Sequence, residues 1–459
     1  MSYQQKLNKL GIEIPFILLP RLAQTSPTEL VKWPVIACDQ FTQDRGYWDK
    51  AKAAAAGSPS TLNLIFPEIY LSDDGVDKRI ADINSTMRRY LQENVFSQAR
   101  HGFIYIERDT PYQKKRRGLI TAVDLEQYDW HPQSRPLIRC TEGAVPERLP
   151  PRMDIRRGAP LELPHVILLI DDETDSLLPV IGEMVKNTTP CYSTPLMMDS
   201  GSVTGWFLDI GNGEETVSLI TEKFDALYNH STRRYGGEGK PFLFAVGDGN
   251  HSIAAAKGIW EEYKTANGCK TSGDGLPVHP CRYALVEIEN IYDPAIQFEP
   301  INRVVFDVGF NETIKILSAL PDFSYRPVNS AQELSKLCVQ QPQAPAVNHF
   351  GVISQGRYAL IETSATGIAT ACLQPLLDKY AGDTPQLIDY IHDEEELFRL
   401  SGEGGQTDTN RKRAGILLPS FQKSLLFETV ARLGPLPRKS FSMGHSVEKR
   451  FYFECREIV

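Results

Sequence analysis

Apolar residues along the chain fall into short runs separated by polar stretches of helical period. Phe16–Leu19, Trp33–Ala37 and Leu62–Phe66 read as strands, and residues 44–56 and 76–95 as helices. In the second helix Val76, Ile80, Ile83, Met87 and Leu91 recur at the three-to-four spacing of one buried face. His101–Ile106 and Arg117–Val123 predict an antiparallel hairpin across Asp109–Pro111. The Ala144–Pro164 stretch carries prolines at 146, 150, 151, 160 and 164, which predicts an irregular crossing and a domain edge. Beyond it the pattern gives a strand at 165–170, a helix at 174–187, strands at 192–210 and a helix at 214–229. Strands at 241–246 and 282–289 flank a further helix, and alternation resumes after 311. Thr265–Pro277 and Ser401–Asn410 read as exposed connections. The class is therefore mixed α/β (α+β), with antiparallel pairing as well as crossovers. Three parts follow: 1–143, 144–310 and 311–459.

Composition narrows the function classes. The 459 residues carry 49 Lys plus Arg against 58 Asp plus Glu, a formal charge of -9. General nucleic-acid binding depends on neutralising phosphates with basic side chains, so it is not expected. The longest apolar runs fall short of the ~20 residues a spanning helix needs, and the first residues lack a signal-peptide pattern, so no membrane association is expected. The eight cysteines are scattered singly, which suits a reducing cytoplasm. The partner expected is a small-molecule substrate or a nucleotide.

The most specific local pattern is Ala245-Val-Gly-Asp-Gly-Asn-His-Ser252, between a strand and a helix. Gly247 and Gly249 permit a sharp turn and close approach of a ligand to the backbone. Asn250 and Ser252 are both cap-competent, and a helix N-terminus attracts anions. Asp248 could hold a metal ion or take a proton, and His251 could act as acid, base or phosphate donor. Glu142 sits at a turn after a strand-like run, and Arg303 just ahead of an apolar strand. Pro435–Gly444 places Arg438 and Lys439 beside Ser440 and Ser442 in a loop bracketed by proline and glycine. Gly236–Lys240 is not a P-loop, and no H-E-x-x-H, G-x-S-x-G or G-x-G-x-x-G pattern is present.

Taken in order, Cys38-Asp39-Gln40, Thr141-Glu142, Asp248–Ser252, Pro300–Arg303 and Pro437–Ser440 make the chain resemble a large bacterial family, domain of unknown function 1015. Asn250, Ser252 and Asn302 stand where that family's motifs have His, Arg and His. The Asp-Gly-x-His turn is also similar to one in free-serine kinases of the ParB/sulfiredoxin-like superfamily, which implies a core of that kind. The resemblance implies a phosphotransferase using ATP or ADP with magnesium on a small hydroxyl-bearing metabolite. Asp39 or Glu142 would then be the base, and Asp248 and His251 would hold phosphate or metal. Gly247, Gly249, Asn250, Ser252, Arg303, Arg438, Lys439 and Ser440 would bind the nucleotide. The alternative is a nucleotide- or phosphate-binding regulatory protein without turnover.

Overall fold

The computed structural model describes residues 2–113, 115–143, 146–211, 214–236, 239–269, 279–339, 348–365, 368–402 and 412–459. The chain folds into two compact units, Met1–Ile296 with Gly444–Val459, and Gln297–Met443. Of the expected Thr265–Pro277 and Ser401–Asn410 connections, residues 270–277 and 403–410 lie outside the described residues.

The first unit is built on an eleven-stranded mixed sheet. Its order is Tyr192–Pro195, Ser202–Asp209, Arg100–Asp109, Arg116–Asp124, Tyr283–Asn290, Ile167–Ile170, Phe244–Asp248, Ile138–Cys140 and Tyr128–Asp129, with two short strands added off this path. The expected hairpin forms, with Ile104 opposite Ile120. Both faces of the sheet are covered: Phe103, Tyr105 and Leu119 enter one apolar core, and Ile104, Ile106 and Ile120 the other. That explains why these strands read as continuous apolar runs rather than alternating ones. The helix Val76–Gln92 buries Ile83 and Met87 of the expected face, with Val76, Ile80 and Leu91 half-buried beside them, and also Tyr90, which the spacing does not single out.

Three expectations are corrected. Leu62–Phe66 forms no strand; Thr61–Asn63 is a short 3-10 turn, and Leu64, Ile65 and Phe66 are simply buried. The proline-rich crossing contains a helix, Leu149–Arg156, because Pro150 and Pro151 occupy its first turn, where no amide donor is required. No domain edge falls at residue 144, since Ile138–Cys140 pairs in parallel with Phe244–Asp248 inside one sheet.

A layer of buried charge lies on one face of this sheet. Arg108, Arg116, Glu287 and Glu289 are nearly inaccessible, and so are Arg450 and Glu454 from the C-terminal segment. Arg116 meets Glu289 at 3.0 Å, and Arg450 pairs with both Glu287 and Glu454. Arg108 donates to the carbonyls of Val447, Glu448 and Lys449, and Arg116 to that of Glu448. These arginines fix the path of residues 447–450 over the sheet. Burial, reinforced by the adjacent Glu287, pushes the Glu289 carboxyl well up. Burial would raise Glu287 too, but Arg450 and Arg116 hold it below its ordinary value.

Glu13, on the short strand paired with Arg116–Asp124, is pushed by burial up to about 7. A carboxyl whose pKa is raised in the folded state costs stability increasingly as pH rises from its unfolded pKa to its folded one, in full above both, and costs nothing when both states are protonated. Glu13→Gln should therefore be more stable than the parent protein at pH 8. The advantage should vanish as the pH falls below about 4, near the unfolded pKa. Denaturant melts at the two pH values check this; an equal gain at both would refute it.

The second unit carries a six-stranded sheet in the order Ser324–Val328, Arg357–Thr363, Asn348–Ser354, Arg413–Leu417, Asn302–Phe306 and Ile388–Ile391, with every neighbouring pair antiparallel. Helices such as Phe310–Leu317 and Ala369–Ala381 bury apolar faces against one side of it.

Candidate functional site

The strand Phe244–Asp248 runs through one glycine into the helix Asn250–Ala266. Gly249 is the N-cap, at φ +80°, and no side chain caps the helix. Asn250 and Ser252 thus lie inside the first turn rather than at the cap. The Asn250 Oδ1 is buried and finds no hydrogen-bond donor among the described residues. A Cβ on Gly249 would lie 3.0 Å from the Cα of Val166, so the turn itself requires glycine. Gly249→Ala should cost about 1–3 kcal/mol through left-handed strain and this contact. Thermal melts would show it, and an unchanged midpoint would contradict it.

Asp248 accepts the Gly249 amide on Oδ1 at 2.9 Å and meets Lys449 on Oδ2 at 3.1 Å. Lys449 arrives because Phe451–Tyr452 pairs antiparallel with Val35–Ile36, and the Ala37 amide donates to the Arg450 carbonyl at 2.9 Å. The same pairing brings the 38–40 segment alongside. The Cys38 amide donates to the Tyr452 hydroxyl at 3.2 Å, and the Glu68 amide to the Cys38 carbonyl at 2.8 Å. Burial would raise the Asp39 carboxyl. The charge of His165, the Gln40 amide and Lys449 outweigh burial and hold it below its ordinary value. Burial, with a smaller push from Asp39, raises Glu68 even though Arg152 pairs with it.

His165 precedes the strand Ile167–Ile170, whose Ile167 stands opposite Asp248. The ring is buried, with Nε2 2.9 Å from the Ser252 hydroxyl and Nδ1 2.8 Å from that of Tyr452. Glu142 follows Ile138–Cys140; Cys140 aligns with Val246, so Glu142 and Asp248 leave two parallel strands at the same sheet end. Asp39, Glu142, Gly247, Asp248, Gly249, Asn250, His251 and Ser252 all belong to the first unit.

Arg303, Arg438, Lys439 and Ser440 belong to the second unit. There Arg303 is inaccessible, donating to the Gln374 side chain at 3.0 Å, the Lys439 carbonyl at 2.9 Å and the Ile301 carbonyl. It braces the turn that carries Lys439, whose backbone is left-handed at φ 60°. The Ser440 hydroxyl donates to the Pro437 carbonyl at 2.6 Å and pairs with Thr370.

Sequence reasoning missed His165, Glu68, Arg152, Lys449 and Tyr452. Each stands alone in an apolar or mixed segment, and only pairing between segments far apart in the sequence gathers them. Among the described residues, no group of three or more His, Cys, Asp or Glu could hold a metal ion, and no helix is long and apolar enough to cross a membrane.

The family model described as "Protein of unknown function (DUF1015)" matches residues 18–380. No curated protein matches. Among solved structures, a free serine kinase in complex with AMP is 10% identical with a TM-score of 0.37, covering 75% of this chain and 94% of its own. A conserved hypothetical protein from Pyrococcus furiosus is 12% identical with a TM-score of 0.33, covering 73% of this chain and 90% of its own. SbnI from Staphylococcus aureus, truncated at its C-terminus, is 10% identical with a TM-score of 0.33, covering 71% and 82%.

Proposed function

The chain belongs to the family described as protein of unknown function (DUF1015), and from that premise we propose that it is a nucleotide-dependent phosphotransferase acting on a small hydroxyl-bearing metabolite. The observation that carries the reading is the Asp248–Lys449 pair at the start of a 17-residue helix, with the charge of Lys449 also acting on an ionised Asp39. Phosphoryl transfer needs positive potential for the phosphates and a carboxylate for the attacking hydroxyl. The amides ahead of Ser252, which makes the first backbone bond to Gly249, have no acceptor within the helix, and the helix dipole adds about half a positive charge. Lys449 supplies the full charge missing from that end. Asp39 is the base: it orients the substrate hydroxyl and takes its proton as the bond to phosphorus forms. Magnesium, bound mainly by phosphates and one or two carboxylates, would neutralise the transferring group, and Asp248 is the carboxylate for it.

ATP or ADP with magnesium should stabilise the protein, by about 2.7 kcal/mol at a hundred times the dissociation constant. Lys449→Ala should lose most of that gain while melting normally without ligand. Failure of either nucleotide to shift the melt would end this reading. Asn250 and Ser252, in place of two ionisable residues of the family turn, favour a second reading: nucleotide binding that regulates without turnover. Stabilisation with no transfer to any of a panel of hydroxyl-bearing metabolites would select it.

A further inference from the structure

We propose, resting on the phosphoryl-transfer reading of this site, that the Ser252 hydroxyl is itself a phosphoryl acceptor, with His165 as its base and Tyr452 as the residue that orients the base. Ser252 is the third residue of the helix, its amide donating to the Gly249 carbonyl at 3.0 Å, so its side chain stands in the turn that would receive phosphate. Its oxygen lies 2.9 Å from His165 Nε2. Nucleophile and base are therefore within transfer distance before any substrate arrives.

The imidazole is held at both nitrogens. Nδ1 is 2.8 Å from the Tyr452 oxygen, and the two rings meet edge to face at 87°. The Tyr452 oxygen also receives the Cys38 amide at 3.2 Å, which ties its position to the backbone. With the proton on Nδ1 donated to Tyr452, Nε2 is left to accept from Ser252. The Asp39 carboxylate, which interacts electrostatically with His165, stabilises the imidazolium that this transfer creates.

In the step itself, the Ser252 oxygen attacks the terminal phosphorus of a nucleoside triphosphate and its proton passes to His165 Nε2. The bond from that phosphorus to the bridging oxygen breaks, and its electron pair leaves with the nucleoside diphosphate. A substrate hydroxyl then displaces the serine oxygen from phosphorus, Asp39 taking the incoming proton and His165 returning its own to Ser252.

The test is to incubate the full chain with ATP and magnesium, and separately with acetyl phosphate, which donates a phosphoryl group without a nucleotide. Intact-mass and peptide-mass measurement follow. The expected result is one phosphoryl group per chain, on Ser252, absent from Ser252→Ala. It should form at least tenfold more slowly in His165→Gln and Tyr452→Phe. Stabilisation by ATP with no phosphate on Ser252 from either donor overturns the inference and leaves the phosphotransferase reading standing. Labelling of Ser252 by acetyl phosphate without any ATP stabilisation supports the acceptor serine and overturns the nucleotide reading. An equal label in Ser252→Ala, at another residue, also overturns the inference. Should His165→Gln fail to fold, Ser252→Ala and Tyr452→Phe still decide.

Discussion

Asp39→Asn should lower the rate of phosphoryl transfer by about a hundred- to ten-thousand-fold, the usual contribution of a positioned general base. The stabilisation by ATP should remain close to that of the parent chain. Asparagine keeps the shape and a hydrogen-bonding oxygen but cannot take the hydroxyl proton. The charge of Lys449, which the reading assigns to the phosphates, is untouched. The pH profile adds a sharper check. The Asp39 carboxyl is held below its ordinary value against burial, by His165 first and then by Gln40 and Lys449. A base with a depressed pKa is ionised throughout the neutral range, so the acid limb due to Asp39 should fall below about pH 4. The stability this carboxylate contributes is present above its unfolded pKa and is lost as pH falls through the folded one. Equal turnover in Asp39→Asn would remove Asp39 as the base; equal loss of ATP stabilisation would make it a binding residue instead.

Arg450→Met should destabilise the first unit by about 3–5 kcal/mol, because it leaves two buried carboxylates without their partner. Arg450 is 4% exposed and pairs with Glu287 and Glu454, and its Nε donates to the Pro164 carbonyl at 2.9 Å. Its own carbonyl accepts the Ala37 amide. One residue thus ties the segments that carry Asp39, His165 and Lys449, so the variant should also lose ATP stabilisation. The pH dependence identifies the cause. Glu287 is held below its ordinary value, so its favourable pairing exists above about pH 4 and is lost on acidification. The gap between parent and variant should be widest near neutral pH and narrow in acid. Combining Arg450→Met with Glu287→Gln should recover part of the loss by removing one stranded charge. Denaturant melts of the three proteins at pH 7 and pH 4 measure all of this; a pH-independent gap would assign the loss to packing.

How much of this was legible in advance depended on whether a feature is local. The hairpin at 100–124, the helix at 76–92 and the strand–turn–helix at 244–266 follow from short-range pattern. So does the turn glycine: Gly-Asp-Gly between a strand and a helix marks a place where the backbone must turn left-handed, and Gly249 does so. Two local readings failed for physical reasons. Leu62–Phe66 is apolar because it is buried in the core, not because it is a strand. Pro150 and Pro151 were read as breakers, although a helix tolerates proline in its first turn.

The sequence by itself determined the α/β class, the family and the Asp248–Ser252 turn, because periodicity, glycine and helix propensity act over a few residues. Tertiary structure decided what surrounds that turn. Lys449 reaches Asp248 across two hundred residues, and His165 reaches Ser252 across 87, through strand pairing that no local pattern encodes. It also gave Arg303 a role that the motif order does not show: Arg303 and Lys439 meet within the second unit, where the buried guanidinium donates to a backbone carbonyl. A charged side chain in a sequence carries no mark of its partner. Only the fold, by burying it, makes pairing obligatory and so fixes whether it braces the backbone or serves the site.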